Sequence, residues 1–253
     1  MGPLHGIGVL VTRPELQAAS LCRLLQAQGA DTLQLPAIDI KPLPDARERI
    51  GALDAFDIFL FTSANAVRYG VPLLGRRHGS TVAAIGPATA RALGEQGCAA
   101  TLQPQGGYTS EALLAHPRFE HLAGQQILLI KGADGRQVLE QELARRGARV
   151  TALAVYERVP ANPSPQDLAA TLAQFAAGRL QVITATSLDI GRRLLEIVPD
   201  ELRTHFEKAL WLVPGERVAA GLRQRGMHGP MLTAASAEDH DLVAALLRWR
   251  SDA

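Results

Sequence analysis

Two stretches far apart in the chain follow one design. GVLVTRP (Gly8 to Pro14) and QILLIKGAD (Gln126 to Asp134) each run from a β-type apolar segment through a polar turn into a helical pattern. Those helical patterns stop at Gly29-Ala30 and Gly147-Ala148. The second half of the unit repeats too: IFLFTSANAV (Ile58 to Val67) matches VITATSLDI (Val182 to Ile190), which lays Thr62-Ser63 over Thr186-Ser187. AAIGPATARAL (Ala83 to Leu93) matches WLVPGERVAAGL (Trp211 to Leu222) more loosely, with Gly86-Pro87 over Pro214-Gly215. A chain built of such copies folds as repeated supersecondary units rather than as one continuous sheet.

Each unit alternates short strands with helical patterns, the signature of βαβ units and a parallel sheet, so the fold class is α/β. Strands are expected at Gly8–Thr12, from Thr32, and at Ile58–Phe61, Val82–Ile85, Ala100–Leu102, Ile127–Lys131, Val150–Val155, Val182–Thr184, Leu210–Val213 and Pro230–Leu232. That is about twice the ~5 strands of a flavodoxin-like sheet, which implies two such lobes. Pro14 is expected at the first position of the first helix.

Proline clusters fall inside each copy, at Pro36, Pro42 and Pro44 and again at Pro160, Pro163 and Pro165, and read as extended connections. One division follows in which residues 1–36 and 160–253 form a discontinuous domain, 45–153 form the second, and 37–44 and 154–159 link them. Two contiguous domains with proline-bearing surface loops fit the same prolines.

Ligands in open α/β sheets sit at the carboxyl ends of the strands, where helix N-termini offer backbone N–H groups. The turns found there are Thr12-Arg13-Pro14, Thr62-Ser63-Ala64-Asn65, Gly86-Pro87-Ala88-Thr89, Lys131 through Arg136, Thr186-Ser187 and Pro214 through Arg217. Each pairs small residues with a hydroxyl or a cation. Ser63 and Ser187 read first as helix caps; a capping hydroxyl still keeps its own proton for a ligand. Lys131 closes a buried type of strand, where a cation needs a reason.

Other chemistries are excluded by what is missing. Lys and Arg number 26 against 25 Asp and Glu, and aromatic residues are 4%, so no basic nucleic-acid face with stacking rings is indicated. No metal is expected, because the seven histidines show no ligand spacing with Cys or carboxylates. Neither a dinucleotide fingerprint, nor a Walker A loop, nor a nucleophile elbow is present. Arg76-Arg77, Arg145-Arg146 and Arg192-Arg193 read as solvated helix ends. Cys22 and Cys98 read as separate buried thiols of a reducing compartment, and no apolar run nears the ~18 residues of a membrane span. A cytoplasmic, monomeric protein without membrane partner is expected.

Taken together, VLVTRP, FTSANAV, AAIGPATARAL, SEALL (Ser110 to Leu114), LLIKGADGR and VYER (Val155 to Arg158) resemble the uroporphyrinogen-III synthase family, most strongly between Gly8 and Arg158. The resemblance implies two flavodoxin-like parallel-sheet lobes joined by a two-strand linker, with an active-site cleft between them. It also implies a lyase that needs no cofactor. Such an enzyme closes hydroxymethylbilane, a linear tetrapyrrole with carboxylate side chains, into uroporphyrinogen III with inversion of ring D and loss of water. On this likeness Tyr156 is the expected catalytic residue, a general acid for the departing hydroxyl. Thr12, Arg13, Thr62, Ser63, Gly86, Pro87, Thr89, Lys131, Gly132, Arg136, Thr186 and Ser187 are expected to bind substrate. A half-buried strand aromatic is the plainer account of Tyr156. Two rival functions are a non-catalytic ligand-binding or regulatory module on the same scaffold and a phosphate-handling transferase; the missing P-loop weighs against the latter.

Overall fold

The computed structural model describes residues 2–252 of the 253-residue chain, except Gly51, residues 75–79, residues 105–108 and Arg136. Two candidates of the sequence, Arg136 and the Arg76-Arg77 pair, therefore lie outside the described residues. The chain divides into two compact units, one made of Met1–Asp39 with Val159–Ala253 and the other of Ile40–Arg158.

In the first unit the strands are β1 (Gly8–Val11), β2 (Asp31–Gln34), β8 (Val182–Thr184), β9 (Leu210–Pro214) and β10 (Met231–Ala234). Most of the second unit's strands are β4 (Ile58–Phe61), β5 (Thr81–Ala84) and β6 (Gln126–Gly132). Two further strands, β3 (Ile38–Pro42) and β7 (Arg149–Pro160), belong to its sheet and run across the division. The helices are α1 (Glu15–Ala27), α2 (Ala64–Leu74), α3 (Pro87–Glu95), α4 (Ser110–Leu114), α5 (Val138–Arg145), α6 (Pro165–Ala176), α7 (Leu188–Ile197), α8 (Asp200–Phe206), α9 (Gly215–Arg223) and α10 (Asp239–Ser251).

The sheets run β10-β9-β8-β1-β2 and β3-β7-β6-β4-β5. Laying the copies over each other as the sequence repeat directs pairs β9-β8-β1-β2 with β5-β4-β6-β7 in the same order. All registered pairs in both runs are parallel. β3 differs, because the Leu43 N–H donates to the Val155 carbonyl while the Ala161 N–H donates to the Ala37 carbonyl. One strand advances as the other retreats, so β3 lies antiparallel to β7 at the sheet edge. The segments expected to be linkers, 37–44 and 154–159, thus carry β3 and the later half of β7. The alternation Ile38-Asp39-Ile40-Lys41 is the period-two signal for a strand there.

The strand expected at Ala100–Leu102 is reduced to one bridge, Leu102 beside Ala83. Its position next to β5 corresponds to that of β10 next to β9. The Thr101 hydroxyl accepts the Val82 amide proton (3.0 Å), occupying a donor that a regular partner strand would need for its carbonyl. Pro14 stands one residue earlier than expected, as the cap before Glu15.

The repeat persists in individual hydrogen bonds. Gly29 (φ 90°) and Gly147 (φ 93°) follow α1 and α5 in the left-handed conformation that a side chain would resist. The next amide reaches back across the turn each time, Ala30 to Leu25 (3.1 Å) and Ala148 to Leu143 (3.2 Å). These are Schellman stops, and Gly-Ala is their sequence mark.

Strand alternation separates two cores in the second unit. Phe59, Phe61, Leu128 and Ile130 pack on one side with α2, whereas Ile58, Leu60, Ile127 and Leu129 pack on the other with α4 and α5 residues. Both faces are covered, as a parallel sheet requires. Gly70 lets α2 press onto the sheet, since a Cβ there would stand 2.7 Å from Ile130 Cγ2.

Candidate active site

At the carboxyl end of the second sheet, β4, β6 and β7 deliver Thr62, Ser63, Lys131, Gly132, Tyr156 and Arg158 to one pocket of about 340 Å³. Its remaining wall includes Thr109, Ser110, Glu111, Asp134 and Gly135.

Ser63 stands directly before α2, and its hydroxyl oxygen accepts the Ala66 N–H at 3.1 Å. This is the ordinary N-cap bond, and it fixes Ser63 at the positive end of the helix. The same oxygen lies 3.1 Å from the Tyr156 phenol oxygen. Thr62 faces back into the sheet, its hydroxyl donating to the Ile130 carbonyl at 3.2 Å.

Tyr156 is only 3% exposed, and a defect in strand pairing puts it there. β6 and β7 keep register up to Lys131 beside Ala154, then Gly132 pairs with Tyr156 and Val155 is skipped. A bulge of this kind re-aims a side chain. Val155 and Tyr156, neighbours that regular pleating would send to opposite faces, both join one core cluster. The ring lies against Gly132, where a Cβ would stand 2.7 Å from Cζ and 2.9 Å from the phenol oxygen. Tyr69 meets it at 6.1 Å between centroids, and the Arg158 guanidinium carbon sits 5.9 Å from the ring centre.

Lys131, 7% exposed, donates to Glu140 of α5 (2.5 Å) and to the Gly135 carbonyl (3.0 Å). A buried ammonium needs such partners. Here they hold the turn after β6 against α5.

The other expected residues that the structure describes are not among those lining this pocket. Gly86, Pro87 and Thr89 lie at the end of β5 and the start of α3, with Thr89 buried at 5% exposure. They do not line this pocket. Thr12, Arg13, Thr186 and Ser187 belong to the first unit. Thr12 is fully buried, and its hydroxyl donates to the Thr184 carbonyl, which ties β1 to β8. Arg13 is paired with Asp239 at the start of α10 and donates to the Ala237 carbonyl. Ser187 caps α7 by accepting from Ile190 (3.2 Å). Glu111 and Arg158 are pocket residues the strand-end rule passed over; the motifs SEALL and VYER contain both.

Fold and pocket define a class: a two-unit α/β protein with a hydroxyl-lined pocket and a seated phenol at the carboxyl ends of the inner strands of a largely parallel sheet. The uroporphyrinogen-III synthase HemD family model matches residues 19–244, and the chain belongs to that family. It is 28% identical to the uroporphyrinogen-III synthase of Escherichia coli over 249 residues, covering 95% of this chain and 100% of that one. Identity to the Synechococcus elongatus synthase is 30% over 211 residues, covering 79% and 78%. The fold is similar to the uroporphyrinogen-III synthetase structure from Helicobacter pylori, with TM-score 0.61 at 14% identity over 96% of this chain and 99% of that one.

Proposed function

We propose that the Tyr156 pocket takes the hydroxymethyl end of hydroxymethylbilane and that Tyr156 gives a proton to the hydroxyl as it leaves. The carbon left behind is an azafulvenium cation. Without guidance it closes on the free end of ring D to give the type I isomer. Attack by the substituted carbon of ring D gives a spiro intermediate instead, and its fragmentation and reclosure yield uroporphyrinogen III. The protein supplies position, an entropic contribution, more than reactivity. A pocket of this volume suits one end of a tetrapyrrole. The observation that carries the reading is the buried phenol set 3.1 Å from a helix-capping hydroxyl inside the pocket. Family membership favours catalysis over the non-catalytic module.

The reading extends to a cytoplasmic monomer without a nucleic-acid partner. Balanced charge supports the absence of a nucleic-acid partner, and the free, buried thiols of Cys22 and Cys98 support a reducing compartment.

The test supplies freshly generated hydroxymethylbilane and separates type III from type I product after oxidation. Tyr156→Phe is expected to lower turnover by on the order of 10²-fold, as for a lost general acid. The product still formed on the enzyme stays type III, because the fold of the bound bilane sets the isomer. Near-normal turnover returns Tyr156 to a structural aromatic.

A further inference from the structure

Ser63 and Tyr156 come from different strands, yet their oxygens are 3.1 Å apart, and either can be the donor. Two protons are available for this one contact. Should the phenol give its proton to Ser63, it has none to offer a ligand. Should Ser63 be the donor, the phenol proton is released toward the pocket. The surroundings favour the second arrangement. Ser63 already accepts the Ala66 amide proton at 3.1 Å, at the positive end of α2, and an oxygen that accepts from such a donor becomes a better donor itself. Gly132 makes room for the other partner: the phenol ring lies against it, where a side chain would meet both ring and oxygen.

We infer that Ser63 is a positioning residue for the reaction, acting through Tyr156. Its hydroxyl proton is directed at the phenol oxygen, which turns the phenol proton toward the substrate and holds the phenolate that forms. The inference rests on Tyr156 being the proton donor. In the step itself the C–O bond of the hydroxymethyl group breaks with its electron pair going to oxygen. The phenol proton joins that oxygen, and water departs. The cationic carbon is attacked by ring D, and the proton shed when the closed pyrrole regains aromaticity returns to the phenolate. Ser63 keeps its own proton throughout.

A double-mutant cycle on the full-length enzyme separates this role from direct substrate binding. Ser63→Ala is expected to lower kcat about tenfold with little change in KM, a loss typical of weakened acid catalysis. Ser63→Thr restores much of it. In the Tyr156→Phe background the same Ser63→Ala change is expected to alter kcat less than about twofold, because the partner is gone. Ser63→Gly repeats the measurement with the helix start better preserved, since glycine is a tolerated cap. Losses that multiply across the cycle, or that appear in KM or in the binding of uroporphyrin III, overturn the inference and leave Ser63 a direct substrate contact. Unchanged kcat in Ser63→Ala overturns it as well. Near-normal turnover in Tyr156→Phe overturns the underlying reading of the tyrosine, a result distinguishable from either.

Discussion

A missing side chain governs the geometry of the pocket as much as those present. Gly132 leaves room for the Tyr156 ring at a strand bulge, and an added methyl there would sit 2.7 Å from Cζ. Gly132→Ala is therefore expected to displace the phenol and cut turnover by on the order of 10²-fold, the scale of a misplaced catalytic group. The fold should survive with a loss of about 1–3 kcal/mol, typical of overpacking. Turnover and thermal unfolding measured together decide it; full activity would mean the ring has space to yield. Part of this was legible in the sequence. The rule that ligands gather at strand ends singles out Thr62, Ser63 and Lys131 without coordinates. It also singles out Thr12 and Arg13 of the first unit, whose polar groups meet Thr184 and Asp239 as Lys131 meets Glu140. Nothing in the local pattern separates a strand-end cation that faces a ligand from one that fastens two elements. Nor does the alternation around Val155-Tyr156 reveal a bulge, because both residues are compatible with a buried strand.

Among the elements, the arginine pairs show how context overrides a charge pattern. Arg192-Arg193 lie within α7 and meet Asp189 one turn before them, so they brace the helix rather than end it. Arg145-Arg146 do close α5, and both donate to Glu142, at 2.7 and 2.8 Å. Arg146 also donates to the Leu114 and Phe119 carbonyls, which ties α5 to α4 and the turn after it. Hydrogen bonds from Arg145 and then Arg146 hold the Glu142 carboxyl down at about 2, against an ordinary value of 4.5. The folded protein thus resists protonating a group that the unfolded chain protonates more readily. The contribution is present above about pH 4.5 and is lost as pH falls toward about 2. The stability difference between the wild type and Glu142→Gln should narrow across that window, and added salt should shrink it at neutral pH. A gap that stays constant with pH would detach Glu142 from this network.

At the level of the whole chain, the doubling of strands and the α/β class were readable because hydrophobic period and Gly-Ala stops are local signals. The edge strand β3 was harder to read: its Ile38-Asp39-Ile40-Lys41 alternation is present, but a short proline-flanked segment reads equally as a connection. Its register with β7 sets Asp39 opposite Val159, so the chain leaves the first unit and re-enters it at paired positions. Paired antiparallel residues lie about 5 Å apart, a gap that a two-residue turn closes. A protein in which Asp39 is joined to Val159 through such a turn is expected to unfold cooperatively as one compact domain. Residues 1–120 alone should not, because β1 would lack β8 on one side. Denaturant unfolding of both chains, followed by circular dichroism, is the measurement; a stable 1–120 fragment would favour contiguous domains.

That arrangement of β1 also imposes an order of events on synthesis. β1 is made before β8, yet it lies between β2 and β8 in the finished sheet, and β8 is encoded nearly three-quarters of the way along the 253 residues. The unit of Ile40–Arg158 has all its strands in hand before the ribosome reaches β8. At about 5–20 residues per second, the apolar face of β1 and α1 waits on the order of ten seconds for its partner. During that interval it is exposed surface for a chaperone or for a neighbouring nascent chain, even though Ser63 and Tyr156 belong to the other unit and are already synthesised.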